Sequence, residues 1–251
     1  MTSSPKVVPQ GGRYVLVVSP ACPWCRRVTI ARRLLGLDAA VALVEASGIG
    51  EDGFEFLRAG NFDPLLRIRT SRELYRRQPD WQVGQPTTVP VLVDLEAGEI
   101  PGRIVLNDSS EILRTIMTEW GDLASSHQDY YVGEEEPFVQ AIGQRLNNHV
   151  HTIIAGKEQA REDALEIVGR FIRELNERLV GRDFLWADHP TTVDIRAFTS
   201  LQSLATTEAG RSGKVSDAYV DLPDLQRWFS RLWAMPGWVS ASEAQALQLS
   251  D

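Results

Sequence analysis

The chain contains two cysteines, Cys22 and Cys25, in the run Ser19-Pro-Ala-Cys-Pro-Trp-Cys25. The chemistry this spacing offers is that of sulfur. Two thiols three positions apart suit a redox or catalytic pair and cannot form a disulfide framework for 251 residues. Before them, Tyr14 to Val18 is a short apolar run that reads as a buried strand. After them, Val28, Ala31, Leu34 and Leu35 recur at helical spacing opposite Arg26, Arg27, Arg32 and Arg33, and Gly36 marks a stop. Cys22 therefore falls at a strand-to-helix turn, where the first N–H groups of the helix and its dipole favour a thiolate. Pro23 fits the first helical position, where its missing N–H costs nothing. Arg26 and Arg27 add positive potential one turn in. These features predict a Cys22 thiol more acidic than the ~8.5 of free cysteine. Cys25, deeper and less exposed, is the candidate resolving thiol.

The remaining elements follow from pattern. A second strand is expected at 41–45. Residues 46–88 read as a long insert, loop-like except for a short helix from Ser71 to Arg77. A third strand at 89–94 opens on Val89-Pro90, and a fourth covers 103–106. Asp108-Ser-Ser-Glu111 has the form of a capping box for a helix ending near Trp120. Asp108 and Ser109 at that helix start could hold a ligand carboxylate or serve only as a cap. The order of strand, helix, strand, hairpin and helix is a thioredoxin-like pattern. Residues 1–12 read as a loose arm, 13–120 as this first domain and 121–136 as a linker whose Glu134-Glu135-Glu136 run is solvated. Residues 137–251 read as an all-α domain of roughly five helices. One stripe there is Phe138, Ile142, Leu146 and Val150, and another is Leu165, Val168, Ile172, Leu175 and Leu179. Thr191-Thr-Val-Asp194 is assigned to folding as a second capping box. The fold class is an α/β thioredoxin-like N-terminal domain followed by an all-α helical domain.

Composition excludes other classes. With 26 basic and 34 acidic residues the formal net charge is −8, which argues against nucleic acid as a partner. No stretch approaches the ~20 apolar residues of a membrane span. Residues before Tyr14 lack the apolar core of a secretion signal, so a cytoplasmic location without membrane contact is expected. A structural zinc needs four ligands and no second Cys/His pair has the spacing, so no metal is expected. His127, His149, His151 and His189 are too scattered for a triad.

Taken together, the segments SPACPWC (19–25), SRELYRRQPDW (71–81), TVPVLVD (88–94), IVLNDSSEILR (104–114), LNNHVHTIIAGK (146–157) and TTVDIRAFTSL (191–201) resemble the glutathione transferase superfamily. Within it the chain is similar to the xi class, the glutathionyl-hydroquinone reductases. The resemblance implies the two-domain glutathione transferase fold, with glutathione as co-substrate bound by the first domain and a second-substrate pocket shaped by the helical domain. It implies Cys22 as the catalytic cysteine and Pro23 and Trp24 beside the thiol. Val89, before a cis Pro90, is the residue whose backbone pairs with the cysteinyl unit. The resemblance likewise implies that Asp108 and Ser109 hold the γ-glutamyl group. The implied mechanism is thiol exchange through a Cys22–glutathione mixed disulfide.

The chain also departs from the family pattern. Cys25 stands where the family has alanine, which allows a glutaredoxin-like Cys22–Cys25 disulfide. His151 replaces a tyrosine that lines the aromatic site in the family. Residues 84–87 lack the basic residue expected before Thr-Val-Pro, which leaves another low-molecular-weight thiol open. The chain is shorter than typical members at both ends, which leaves the unusual dimer of the class open, as is any homodimer. The expected partners are a small-molecule thiol and an aromatic or disulfide substrate. Two alternatives stay in view: a dithiol oxidoreductase using both cysteines, and a non-catalytic binding module of the same fold.

Overall fold

The computed structural model describes residues 7–57, 62–97, 102–206 and 221–248. The chain divides into two compact units, Met1–Gln128 and Asp129–Asp251.

The first unit is built on a four-stranded sheet in the order β2-β1-β5-β6. Strand β1 (Tyr14–Val18) lies parallel to β2 (Val41–Glu45) and antiparallel to β5 (Val91–Asp94), which pairs antiparallel with β6 (Arg103–Leu106). All five residues of β1 are buried, which explains its unbroken apolar run in place of alternation. Helix α1 (Pro23–Leu34) follows β1 and packs against α3 (Ser109–Glu119). Their buried faces carry Val28, Ile30, Ala31, Ile112, Leu113 and Ile116. Beyond α3, Trp120 is fully buried with its ring 5.4 Å from that of Tyr14. Gly36 ends α1 at φ +63°, and a Cβ there would sit 1.8 Å from Ser125 Oγ, so both backbone and space require glycine.

The insert departs from the loop expected of it. Gly48–Gly50 (β3) and Gly53–Glu55 (β4) form a separate two-stranded hairpin. Its strands are short, rich in glycine and at most half-buried, so they lack the apolar alternation that marks a strand in sequence. Helix α2 (Ser71–Arg76) forms where expected. Thr70 Oγ1 accepts the Glu73 N–H at 3.4 Å, and Glu73 Oε2 accepts the Arg69 N–H at 2.7 Å, in the manner of a capping box shifted by one residue.

All regular elements among the described residues of the second unit are helices. Helix α4 (Pro137–Ile142) passes through a widened π-type turn (Gly143–Asn147) into α5 (Asn148–Ala155). Then come α6 (Glu158–Arg178), α7 (Thr192–Thr206), α8 (Pro223–Ala234) and α9 (Ala241–Gln248). Ile142, Leu146 and Val150 are fully buried as their stripe requires, but Val139 takes the core place expected of Phe138. Phe138 instead lies 4.0 Å beneath the Arg178 guanidinium and stacks on Trp186. Around α7, Phe198 is ringed by Trp228, Phe229, Trp233 and Trp238. No described helix is long and apolar enough to cross a membrane.

The segment expected as a linker is anchored within both units. Ser125 and Ser126 donate their N–H groups to the Leu35 carbonyl in the first unit. In the second, Thr192 N–H donates to the Tyr130 carbonyl at 2.7 Å. Glu134, expected to be solvated, forms an ion pair with the buried Arg196. A buried guanidinium needs a counter-charge, and Glu134 supplies one from the acidic run.

Candidate active site

Strand register sets the site. Val17 pairs with Val91, and Leu92 with Leu106. The C-terminal end of β1, the N-terminal end of β5 and the C-terminal end of β6 therefore leave one edge of the sheet together. Cys22, Val89-Pro90 and Asp108-Ser109 follow or precede those three ends, so one sheet edge gathers residues spread over most of the first unit.

Cys22 is the N-cap of α1, with extended backbone (φ −81°, ψ 122°), and Pro23 takes the first helical position. Its N–H donates to the Ser19 carbonyl and its own carbonyl accepts the Arg26 N–H, each at 3.1 Å. The Arg26 side chain is buried and folds back along the loop. Its Nη1 donates to the carbonyls of Ala21 at 2.8 Å and Pro20 at 3.2 Å, clamping the two residues before the thiol. Arg27, also buried, holds its guanidinium 5.7 Å from the Trp24 ring. Sequence reasoning placed both arginines on the polar side of α1 and missed their burial. They cap carbonyls and an aromatic ring that only the folded loop presents.

Across from Cys22 the Val89–Pro90 peptide is cis. Cys22 Sγ lies 3.9 Å from the Val89 carbonyl oxygen, the reach of a weak S–H···O contact. Tyr75 on α2 donates its hydroxyl to the Thr88 carbonyl at 2.9 Å, pinning the segment just before Val89. No sequence signal distinguished Tyr75 from an ordinary core aromatic. At the third strand end, Asp108 caps α3, its Oδ1 accepting the N–H groups of Ser110 and Glu111, each at 2.9 Å. Asp108 is exposed and Ser109 buried. A cavity of about 560 Å³ adjoins this edge, bounded by Thr88 and Asn107, the neighbours of Val89 and Asp108, and by Tyr75, Trp81 and Arg103.

Both cysteines are free thiols, Cys22 half-buried and Cys25 buried. They differ sharply in acidity. A hydrogen bond from the Cys25 thiol, helped by the N–H groups of Cys25 and Trp24 and the charge of Arg26, lowers Cys22 to about 7 against the opposing effect of burial. Burial, together with the hydrogen bond and negative charge of Cys22, raises Cys25 well above the ordinary thiol range. The Ser19 N–H meets Cys25 Sγ at 3.3 Å. Near neutral pH a large share of Cys22 is thus thiolate, while Cys25 stays a buried thiol.

A direct consequence is a pH profile. Thiolate is the reactive form, so alkylation of Cys22 by iodoacetamide should be half-maximal near pH 7, level off about one unit above it, and fall roughly tenfold per unit well below it. A midpoint in the range of free cysteine would show that the helix start and Cys25 do not acidify it.

Of the other residues singled out in sequence, His151 is an exposed residue of α5 in the second unit. The His189 ring nitrogens lie 2.8 Å from Asp188 Oδ1 and 2.9 Å from the Asp129 carbonyl oxygen, both of them hydrogen-bond acceptors, a structural role. Among the described residues no group of three His, Cys, Asp or Glu side chains could hold a metal ion.

Comparison with known proteins agrees with this geometry. Residues 21–119 match the family described as glutathione S-transferase, N-terminal domain, and 136–236 match glutathione S-transferase, C-terminal domain. The glutathionyl-hydroquinone reductase PcpF of Sphingobium chlorophenolicum is 33% identical over 233 residues, covering 88% of this chain and 72% of that protein. The crystal structure of glutathione S-transferase Xi from Phanerochaete chrysosporium gives a TM-score of 0.82 at 27% identity, covering 98% of this chain and 86% of that one. The glutathione-bound structure of YqjG, a glutathione transferase homologue from Escherichia coli K-12, gives 0.81 at 25% identity, covering 97% and 81%. A mixed sheet with a following helix, joined to a helical unit, is the glutathione transferase architecture, and this chain belongs to the glutathione S-transferase family.

Proposed function

We propose that this protein is a cysteine-dependent glutathione transferase that reductively removes glutathione from aromatic adducts such as glutathionyl-hydroquinones. The observation that carries the reading is the Cys22 thiolate, lowered to about 7 at the start of α1 and facing the Val89 carbonyl. A thiolate of this kind attacks sulfur. Its attack on the glutathionyl sulfur breaks the sulfur–carbon bond, the electron pair stays on the ring carbon, and that carbon takes a proton. The hydroquinone leaves and Cys22 carries glutathione as a mixed disulfide. A second glutathione thiolate then attacks the bound glutathionyl sulfur, releasing oxidised glutathione and free Cys22.

In this reading the Val89 backbone pairs with the cysteinyl unit of glutathione as an added strand would. Pro23, Trp24 and Pro90 border the thiol, and Asp108 and Ser109 receive the γ-glutamyl group. His151 belongs to the second-substrate side. The glutathionyl-hydroquinone reductase PcpF and the glutathione bound to YqjG, both similar to this chain, support this choice of substrate and thiol. Two free cysteines fit a reducing compartment, and the cytoplasm is the proposed location.

The test is a single turnover. Wild-type protein mixed with glutathionyl-hydroquinone, without free glutathione, should release about one equivalent of hydroquinone, because Cys22 is consumed. Added glutathione should make the release continuous. Absence of hydroquinone in both conditions would overturn the reading.

A further inference from the structure

We propose that Cys25 gives this protein a second activity, the two-thiol reduction of disulfides, in which glutathione on Cys22 is displaced by Cys25 from within the same helical turn. The proposal rests on the reading of Cys22 as the thiol that takes glutathione. It assigns to the Cys22–Cys25 pair a function that one cysteine alone cannot perform.

Geometry comes first. Residues three apart on a helix are surface neighbours, with Cβ atoms about 5–6 Å apart, close to what a disulfide spans. Here Cys22 is the N-cap of α1 and Cys25 lies three positions on, in its first turn. Cys25 is 1% exposed, so no external sulfur can approach it. The sulfur within its reach is that of Cys22. An incoming disulfide must therefore react first at Cys22, and Cys25 acts only on what Cys22 has captured.

Electrostatics then sets the order of events. Burial, the hydrogen bond to Cys22 and the charge of Cys22 all hold Cys25 in its protonated form. The last two depend on Cys22 being a thiolate. Once Cys22 is a mixed disulfide, that charge and that strong acceptor are gone. The Ser19 N–H at 3.3 Å and the positive charge of Arg26 remain, and both favour a Cys25 thiolate. The second thiol is thus restrained while the first is free and released when the first is loaded.

The step balances without an added oxidant. Cys25 Sγ attacks Cys22 Sγ, a Cys22–Cys25 bond forms, and the bond from Cys22 to the glutathionyl sulfur breaks. Glutathione leaves with the electron pair and takes up the proton that Cys25 loses. The oxidised pair is restored by two glutathione molecules, which become oxidised glutathione. With any accessible disulfide in place of the glutathione adduct, the same two steps release both halves as thiols.

The experiment loads Cys22 with oxidised glutathione, quenches in acid and reads intact mass. Wild type should lose two hydrogens and keep no glutathionyl group. Cys25→Ala and Cys25→Ser should keep the glutathionyl group, with a lifetime more than ~10-fold longer than in wild type. A wild-type adduct as long-lived as that of both variants would overturn the proposal. Two different variants guard against a folding defect in one of them. Loading with glutathionyl-hydroquinone in parallel separates the two readings. Hydroquinone release with a persistent wild-type adduct sinks the resolving role alone. A disulfide formed from oxidised glutathione without hydroquinone release sinks the proposed aromatic substrate and upholds the pair.

Discussion

Cys22→Ser is expected to abolish hydroquinone release, with a loss of at least ~10³-fold in kcat/KM, while the protein stays folded. The side chain changes by one atom at an N-cap position where serine is itself a favoured residue, so α1 should form as before. What disappears is the nucleophile. A serine hydroxyl is not ionised near pH 7, and the features that acidify Cys22, a thiol donor and two backbone N–H groups, cannot bring a hydroxyl into that range. A serine would also be unable to hold glutathione as a disulfide. Circular dichroism and thermal unfolding check the fold, and hydroquinone release checks the chemistry. Retained turnover in a folded Cys22→Ser protein would rule out the thiol-exchange mechanism.

The second large effect concerns the helical unit. Asp194→Ala is expected to destabilise it by about 3–5 kcal/mol. The Asp194 carboxylate is fully buried within α7. Its Oδ1 accepts the Leu185 N–H and the Trp228 Nε1–H, both at 2.9 Å. Its Oδ2 accepts the Thr191 N–H at 2.9 Å and the Thr191 hydroxyl at 3.2 Å. One side chain thus ties the start of α7 to the preceding loop and to α8. Truncation leaves those buried donors without an acceptor and opens a cavity among apolar neighbours. Asp194→Asn keeps one acceptor oxygen and the volume, so it should lose clearly less. For a chain of this size each kcal/mol lowers Tm by roughly 2–4 °C, so differential scanning fluorimetry resolves the two variants. An alanine variant as stable as wild type would show that the network is not a fold determinant.

The sequence by itself determined the local grammar. Cys22 at a strand-to-helix turn, Pro23 at the first helical position, Asp108 as a cap and the Thr191 to Asp194 box were legible because each depends on a few adjacent residues and on helix-end chemistry. The family motifs, spread in order along the chain, carried the fold class for the same reason. Only tertiary structure decided what depends on residues far apart. The sheet register brought Cys22, Val89 and Asp108 to one edge, and no local pattern encodes register across that separation. Folding of the loop over α1 buried Arg26 and Arg27 against carbonyls and a ring, where helical periodicity had put them in water. The glycine-rich hairpin formed without an apolar signature because backbone pairing, not burial, holds it. The unequal acidity of the two cysteines was likewise a product of depth. Spacing set them side by side, but only the fold left one half-exposed beside a carbonyl and sealed the other behind it.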